Sequence, residues 1–484
     1  MPMGDSPAAV PGNSRRPPAT DRFRLSRRSL LGLFAVTGLA ACGGEDDDSA
    51  VEPSGTPAER REVATDAYVF GYPLVLIDTI RRRALEYTAV NRFQHTSALP
   101  ASSQRTVVRI DLDNLYSVAW LDLREEPVLF EVPQIEDRYW VMQILDAWSN
   151  TAFTPTSVQP HAEPGASAPF VYAVTGPGWS GTLPPGAVQL PVPTADAWLY
   201  GRIEVRGPGD VAAVRDIQSR LRLAPLSAWT TPAAAEADSI PENQDWSESA
   251  GLDSIDEMPV RDFFDRMCEL MEKNPPAAED EPAMARFATI GIRPGGSPEG
   301  VSTGELSAGV DAAKRKITAY VDPGSILRNG WVLDLNVGRY GTNYLLRAAT
   351  ASRGVGANLA AVVVYPAMFD QADDDGTPIE FSLRFEPGEA PPVAAFWSLT
   401  AYGSDGFLVP NEADLHTVGH PVPPVFAPDG SLDFTVQAAD PGPDVPRSNW
   451  LPIPERGQFS LVMRLYEPDR RVLDGEWFPP PLVP

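Results

Sequence analysis

Cysteine is nearly absent from this chain, with two in 484 residues, and histidine is scarce, with four. Two cysteines exclude a disulfide scaffold. The short motifs of common catalytic machinery are missing too. There is no Gly-x-Ser-x-Gly elbow, no His-Glu-x-x-His, no P-loop and no Cys-x-x-Cys. Gly354-Val355-Gly356 lacks the third glycine of a dinucleotide fingerprint, which speaks against a nicotinamide cofactor. Of the histidines, His416 and His420 would share a helix face, but Gly419 and Pro421 place them in a loop, and His95 and His161 stand far off. No metal site is read from them. Positive charge is the third shortage: 39 Lys and Arg face 65 Asp and Glu, a net of −26. So acidic a chain repels the nucleic-acid backbone, and a nucleic-acid partner is excluded.

What is present begins with an unusual N-terminus. Arg15, Arg16, Arg22, Arg24, Arg27 and Arg28 form a basic arm, Leu30 to Ala41 carries no charge, and Leu39-Ala40-Ala41-Cys42 follows. These are the parts of a secretory signal. Its apolar core is too short to span roughly 30 Å of hydrocarbon at about 1.5 Å per residue. Ser26-Arg27-Arg28-Ser29-Leu30-Leu31 resembles the twin-arginine export motif, and Leu39-Ala40-Ala41-Cys42 resembles a lipobox. The expectation is cleavage before Cys42, a lipid on Cys42, and a membrane-anchored protein facing the periplasm or cell exterior. Cys268 would then be the only thiol left within the fold. Its neighbours Phe263, Phe264, Met267, Leu270 and Met271 fit one apolar helix face, so a packed, inert thiol is expected. Residues 1–42 are read as the signal and 43–58, with Glu45-Asp46-Asp47-Asp48, as a flexible acidic tether.

Beyond the tether the hydrophobic fraction of 43% suits a globular chain of two or three domains. Residues 59 to about 95 open with helical periodicity, which Pro73 is expected to break or kink. Strand texture begins at Thr106-Val107-Val108-Arg109-Ile110 and continues at 116–123, 127–132, 139–145, 170–175, 187–192 and 197–205. Helices are expected at 209–223, 261–273 and 306–321, with a polar loop at 241–256. From about 331 strands return, separated by turn signals at Asp373-Asp374-Asp375-Gly376, Ser404-Asp405-Gly406 and Asp429-Gly430. Such spacing suggests sandwich or jelly-roll architecture. The reading is mainly β: two β-sandwich or jelly-roll-like domains, at 59–207 and 329–484, with a helical connector at 208–328, α+β overall.

The N-terminal half contains Ala67-Tyr68-Val69-Phe70-Gly71-Tyr72-Pro73, Asn91-Arg92-Phe93-Gln94-His95, Asn114-Leu115-Tyr116-Ser117, Asp146-Ala147-Trp148-Ser149-Asn150 and Trp198-Leu199-Tyr200-Gly201-Arg202. The C-terminal half contains Phe396-Trp397-Ser398-Leu399-Thr400, Asp405-Gly406-Phe407, Ser448-Asn449-Trp450-Leu451-Pro452, Arg464-Leu465-Tyr466 and Gly475-Glu476-Trp477-Phe478-Pro479-Pro480. In order and spacing these runs resemble the DUF1254/DUF1214 family over residues 62–482. The resemblance implies two β-sandwich-like domains joined by helices; it carries over no reaction and no cofactor. One departure stands out. The family usually reads Arg-Pro-Asn-x-Asp-Thr-Leu-Tyr-Ser, where this chain has Arg109-Ile110-Asp111-Leu112-Asp113-Asn114-Leu115-Tyr116-Ser117.

That stretch is also the richest chemical constellation. On a strand, Arg109, Asp111 and Asp113 would share one face. A guanidinium beside two carboxylates suits a base, an acidic substrate or a hard cation, or an ion-pair network that orders a sheet end. The candidate catalytic set is therefore Arg109, Asp111, Asp113 and Tyr116, with Asn114 as a ligand contact. Asp146 and Trp148, after a strand, are expected to line the same mouth, the ring suiting a sugar. Arg339, Tyr340 and Asn343 are expected to face it from the second domain, clefts between domains being frequent ligand sites. Three functions remain open: a hydrolase using the Asp111/Asp113 carboxylates, a module that binds a small molecule or glycan without turnover, and a structural envelope protein.

Overall fold

The computed structural model describes residues 55–105, 107–229, 237–239 and 254–484. The export segment, Cys42 and all but the end of the expected 241–256 loop lie outside them. The first element, α1 (Pro57–Ala84), starts on a capping box in which Thr56 and Glu59 satisfy each other's backbone N–H groups, with Pro57 in the first turn. Arg81, Arg82 and Arg83 occupy its last turn, where positive charge complements the helix dipole. The break expected at Pro73 does not occur. Proline within a helix costs about 3 kcal/mol, but nearly every residue from Val63 to Ile80 is buried. Each large apolar side chain so placed contributes roughly 1.5–3 kcal/mol, and packing outweighs the breaker. The helix is long and apolar enough to cross a membrane, yet 89% of its most apolar stretch is buried inside the fold.

The first half of the chain supplies β1 (Phe93–His95), β2 (Asn114–Asp122), β3 (Val128–Val132), β4 (Trp140–Asp146), β5 (Thr151–Phe153), β6 (Phe170–Thr175), β7 (Val188–Pro191), β8 (Asp196–Glu204), α2 (Val211–Gln218), β9 (Arg222–Pro225) and β10 (Ala237–Ser239). They form a six-stranded sheet in the order β10-β1-β2-β8-β4-β5 and a four-stranded sheet, β7-β6-β3-β9. Alternation along the strands explains how the larger sheet is buried on both faces. Leu115, Ala119, Leu121, Leu199 and Ile203 meet the smaller sheet in one core. Val118, Trp120, Trp198 and Tyr200 point the other way and join a core with α1, α3 (Val260–Lys273), α4 (Glu281–Ala288), α5 (Thr303–Ala319) and α6 (Tyr344–Arg353). Trp120 and Trp198, paired across β2 and β8, stack at 4.4 Å. At Gly201 a Cβ would lie 2.7 Å from both the Ser117 carbonyl and Met142 Sδ, so only glycine fits. Cys268 is packed in the helical core as expected, and burial pushes its thiol up.

The second half supplies β11 (Ile326–Arg328), β12 (Trp331–Leu333), β13 (Val363–Val364), β14 (Ala367–Gln371), β15 (Asp373–Asp374), β16 (Thr377–Pro378), β17 (Phe381–Phe385), β18 (Trp397–Gly403), β19 (Thr417–Gly419), β20 (Leu432–Val436), β21 (Trp450–Leu451) and β22 (Gln458–Tyr466). One sheet runs β11-β12-β14-β22-β18-β19 with β13 also on β22, and it faces the sheet β17-β20-β21. Leu399, Ala401, Leu461, Met463 and Leu465 fill the core against Leu383, Phe385, Phe434 and Val436. The turn expected at Asp375-Gly376 links β15 to β16, both residues taking positive φ as a tight hairpin requires. The fold is mainly β, two sandwiches with a helical layer.

Of the strand expected at 106–110 the described part, 107–110, is not a strand: residues 107–113 are turns and irregular chain, and pairing starts at Asn114. Arg109 adopts φ 51°, a left-handed conformation no strand allows. It is pinned from both sides, its N–H donating to the Gly406 carbonyl at 2.7 Å and its carbonyl accepting from Arg464 Nη2 at 2.9 Å.

Candidate functional site

Two sheet faces bound a cavity of about 920 Å³. On the first sandwich the face that carries Tyr116, Tyr200 and Arg202 borders it; on the second, Ala367, Val462 and Arg464 do, next to Tyr365. Thr96 to Ala101, Val107 to Asp111 and Arg353 to Ala357 supply further walls. Strand register explains the convergence. Tyr116 pairs with Arg202 across β2 and β8, Arg202 pairs with Val141 across β8 and β4, and Ser398 pairs with Arg464 across β18 and β22.

Asp111 is a carboxylate of the cavity wall. Its Oδ1 accepts from the Asp113 N–H at 2.6 Å. Its Oδ2 accepts from Asn114 Nδ2 at 2.7 Å and Tyr116 OH at 3.0 Å, with Tyr466 OH at 3.4 Å. The two departures from the family's pattern thus touch each other: the Asn114 amide donates to the Asp111 carboxylate. Asn114 Nδ2 also donates to Tyr466 OH at 2.8 Å, which leaves that phenol's single proton for Asp111 or Asp113. Burial first, then the Asp111 charge, raises the pKa values of both phenols, so both remain donors at neutral pH.

Asp113 lies behind this wall, 1% exposed and outside the cavity lining. Its Oδ2 accepts from Ser398 Oγ at 2.6 Å, while its Oδ1 is buried without a partner. Burial and the neighbouring Asp111 charge push its carboxyl up to about 7, against the opposing pull of Arg464, Ser398 and His420. A serine beside such a carboxyl has the beginnings of a nucleophile. Ser398, however, is fully buried and does not line the cavity, so it cannot meet a substrate there.

Arg109 does not orient the carboxylates as expected. Its exposed guanidinium sits 5.3 Å from the Phe369 ring at the cavity mouth. The guanidinium groups inside are Arg202 and Arg464, 8% and 4% exposed. Arg202 donates through Nη1 to Gln143 Oε1 at 2.8 Å and Asn358 Oδ1 at 3.4 Å, and lies over the Tyr200 and Tyr116 rings. Arg464 donates to Thr400 Oγ1, Tyr402 OH and the Arg109 carbonyl. Both belong to runs that otherwise read as apolar strands. A charge at an inward position of such a run was the signal available in the sequence.

The remaining candidates serve structure elsewhere. Asp146 closes the turn after β4, accepting from the N–H groups of Trp148 and Asn150 and from Asn150 Nδ2. Trp148 packs at 4.9 Å on Phe70 and donates to the Asn274 carbonyl. Arg339 donates to the carbonyls of Thr151 and Ala152, Tyr340 is buried, and Asn343 caps α6 by accepting from the Leu346 N–H. None of these five lines the cavity. His416 bonds Asp414 and His420 bonds Glu204, so the two do not share a site. Among the described residues no cluster of His, Cys, Asp and Glu suits a metal.

Two family models match: the protein of unknown function DUF1254 over residues 90–225 and the protein of unknown function DUF1214 over residues 363–470. Among solved structures the chain is similar to the VPA0106 protein from Vibrio parahaemolyticus, at 19% identity and a TM-score of 0.64, over 88% of this chain and 99% of that one. That likeness speaks for the fold alone. An uncharacterized protein from Burkholderia cenocepacia matches at 12% identity over 85% of this chain and 92% of its own, with a TM-score of 0.41, too low to carry an argument. No curated protein matches the chain by sequence. The DUF1254 match holds Asp111, Tyr116 and Arg202 and the DUF1214 match holds Ser398, Arg464 and Tyr466, so the cavity is built by both regions of a DUF1254/DUF1214 domain-containing protein.

Proposed function

We propose that this protein is exported, anchored to the membrane by a lipid on Cys42, and holds a small molecule in the cavity between its two sandwiches, against the polar wall that includes Asp111. The observation that carries the reading is the pairing of a ligand-sized cavity with a carboxylate fixed by surrounding donors. Holding without turnover is favoured over hydrolysis. Donors saturate Asp111, which weakens it as a base, and the serine next to the raised Asp113 carboxyl is sealed from the cavity. A glycan is a poorer fit than a smaller ligand, because the expected rim tryptophan packs against Phe70.

A thermal-shift screen of the full chain against small molecules and divalent cations, with Asp111→Asn alongside, tests the site. A ligand-dependent rise in Tm whose size changes in the variant supports it. If nothing shifts the wild-type protein and Asp111→Asn merely melts lower, the cluster only holds the sheets together and the reading falls. The anchor has its own test, membrane fractionation of wild type and Cys42→Ala. Unchanged partitioning of the variant refutes lipidation at Cys42.

A further inference from the structure

The ligand's chemical class can be read from the charge inside the cavity, an inference that rests on the small-molecule reading above. The chain as a whole carries a net charge of −26. The cavity wall inverts that balance, with Arg109, Arg202, Arg353 and Arg464 against only Asp111 and Asp334. Arg109 and Arg353 are exposed at the mouth, where positive charge on an acidic protein draws anions inward. Arg202 and Arg464 are the buried pair, and among the described residues neither has an acidic partner within ion-pairing distance. Arg202 commits only Nη1 to protein acceptors. Nε and Nη2 make no hydrogen bond to the described residues, and Arg202 lines the cavity. A buried guanidinium left unmatched is costly, and planar, bidentate capture of a carboxylate is the contact its geometry suits best.

We infer that the occupant is a monoanion, a carboxylate carried on an apolar or aromatic body, with the carboxylate held by the free edge of Arg202 in the field of Arg464. The sign and size of the charge follow from the floor: the two buried guanidinium groups against Asp111, with Asp334 exposed like the two outer arginines, leave a single positive charge to match. A dianion overshoots that balance, a neutral molecule leaves it open and a cation worsens it. The body meets the rings of Tyr116, Tyr200 and Tyr365 and the side chains of Val337 and Val462. A volume of about 920 Å³ suits a molecule of drug-like size.

The test is calorimetric titration of the full chain at pH 6 with a panel of aryl and alkyl monocarboxylates, each beside its matched amide and amine. The best acid is expected to bind roughly tenfold or more tightly than its amide, the worth of a hydrogen bond to a charged group. Arg202→Gln is expected to erase that preference while retaining the amide's affinity. Arg109→Gln/Arg353→Gln, at two exposed positions, is expected to slow carboxylate association and flatten its salt dependence. An amide that binds as tightly as its acid overturns the anionic class and leaves the cavity reading standing. Amides or amines that bind where acids do not have the same meaning. If no member of any set binds, the cavity reading itself falls.

Discussion

Asp113→Asn should change the protein's response to pH more than its stability at any one pH. In the folded chain burial, reinforced by the Asp111 charge, pushes the Asp113 carboxyl up to about 7; an unfolded aspartate titrates near 3.9. A raised folded value means that the contribution to stability is fully present below about pH 4 and is lost as pH rises through about 7. Roughly three pKa units correspond to about 4 kcal/mol, lost at about 1.4 kcal/mol per pH unit. The shared field with Asp111 makes that an upper figure. Asparagine keeps the shape of the neutral acid and cannot ionise. It can still accept from Ser398 Oγ, at some fixed cost where its amide replaces the partnerless Oδ1. Relative to wild type, Asp113→Asn should therefore gain about 2–4 kcal/mol between pH 4 and pH 8, whatever its constant offset. Urea denaturation of both proteins at four pH values across that range measures the difference. Parallel curves would refute the argument, because they would mean that folded Asp113 is already ionised.

Three further outcomes follow from neighbouring geometry. Asp111→Asn and Asn114→Thr should not be additive: in a double-mutant cycle the hydrogen-bonded pair is expected to show coupling of about 0.5–3 kcal/mol, and additivity would dissolve the idea that the two departures compensate. Gly201→Ala should cost about 1–3 kcal/mol in urea midpoints, because its Cβ meets the Ser117 carbonyl and Met142 at 2.7 Å; a neutral result would show that β2 and β8 can part. Burial lowers the His95 imidazole to about 4, so its contribution is present above about pH 6.5 and lost as pH falls through 4. His95→Asn should accordingly flatten the acid limb of wild-type stability, as urea midpoints at pH 4.5 and 7 would reveal.

Much of the β framework was legible because its signal is local. The runs at 127–132, 139–145, 170–175 and 197–205 became β3, β4, β6 and β8 within a residue or two. The Asp375-Gly376 pair turned a hairpin for the reason its composition implies. The failures share one cause, control by distant parts of the chain. Pro73 reads as a breaker until the helices that bury α1 are in place. Val107 to Ile110 reads as a strand, but the Gly406 carbonyl and the Arg464 guanidinium, roughly 300 residues onward, hold Arg109 in a turn. The same distance hid the site. Asp111, Asn114 and Tyr116 could be singled out as polar neighbours in sequence, whereas the arginines that set the cavity's charge come from β8 and β22. Asp146, Arg339 and Asn343 looked equally promising as polar residues and turned out to close turns, bond carbonyls and cap a helix. Residue type alone does not separate those duties.

The raised carboxyl and the unmatched arginines belong to one electrostatic account. Asp113 is faced by Asp111 and Asn114 on its own segment, Ser398 on β18, Arg464 and Tyr466 on β22, and His420 beyond β19, itself bonded to Glu204 of β8. While Asp113 holds its proton, Arg464 has no ionised partner beyond Asp111, and the cavity keeps its surplus positive charge. Once Asp113 ionises, that surplus is met from behind the wall, and an anion in the cavity gains less. Proton and anion therefore reinforce each other: by linkage, a bound anion must raise the Asp113 pKa by the same factor by which the proton raises anion affinity. Carboxylate affinity should fall by about 3–10-fold as pH rises from 6 to 8, which is what coupling in the ordinary range of about 5–150-fold gives for a group titrating at about 7. In Asp113→Asn it should stay level, because the amide behaves as the protonated acid at every pH. Calorimetry at the two pH values separates the cases. A wild-type affinity indifferent to pH would mean that Asp113 and the cavity arginines do not share a field, and the account would reduce to two unrelated buried charges.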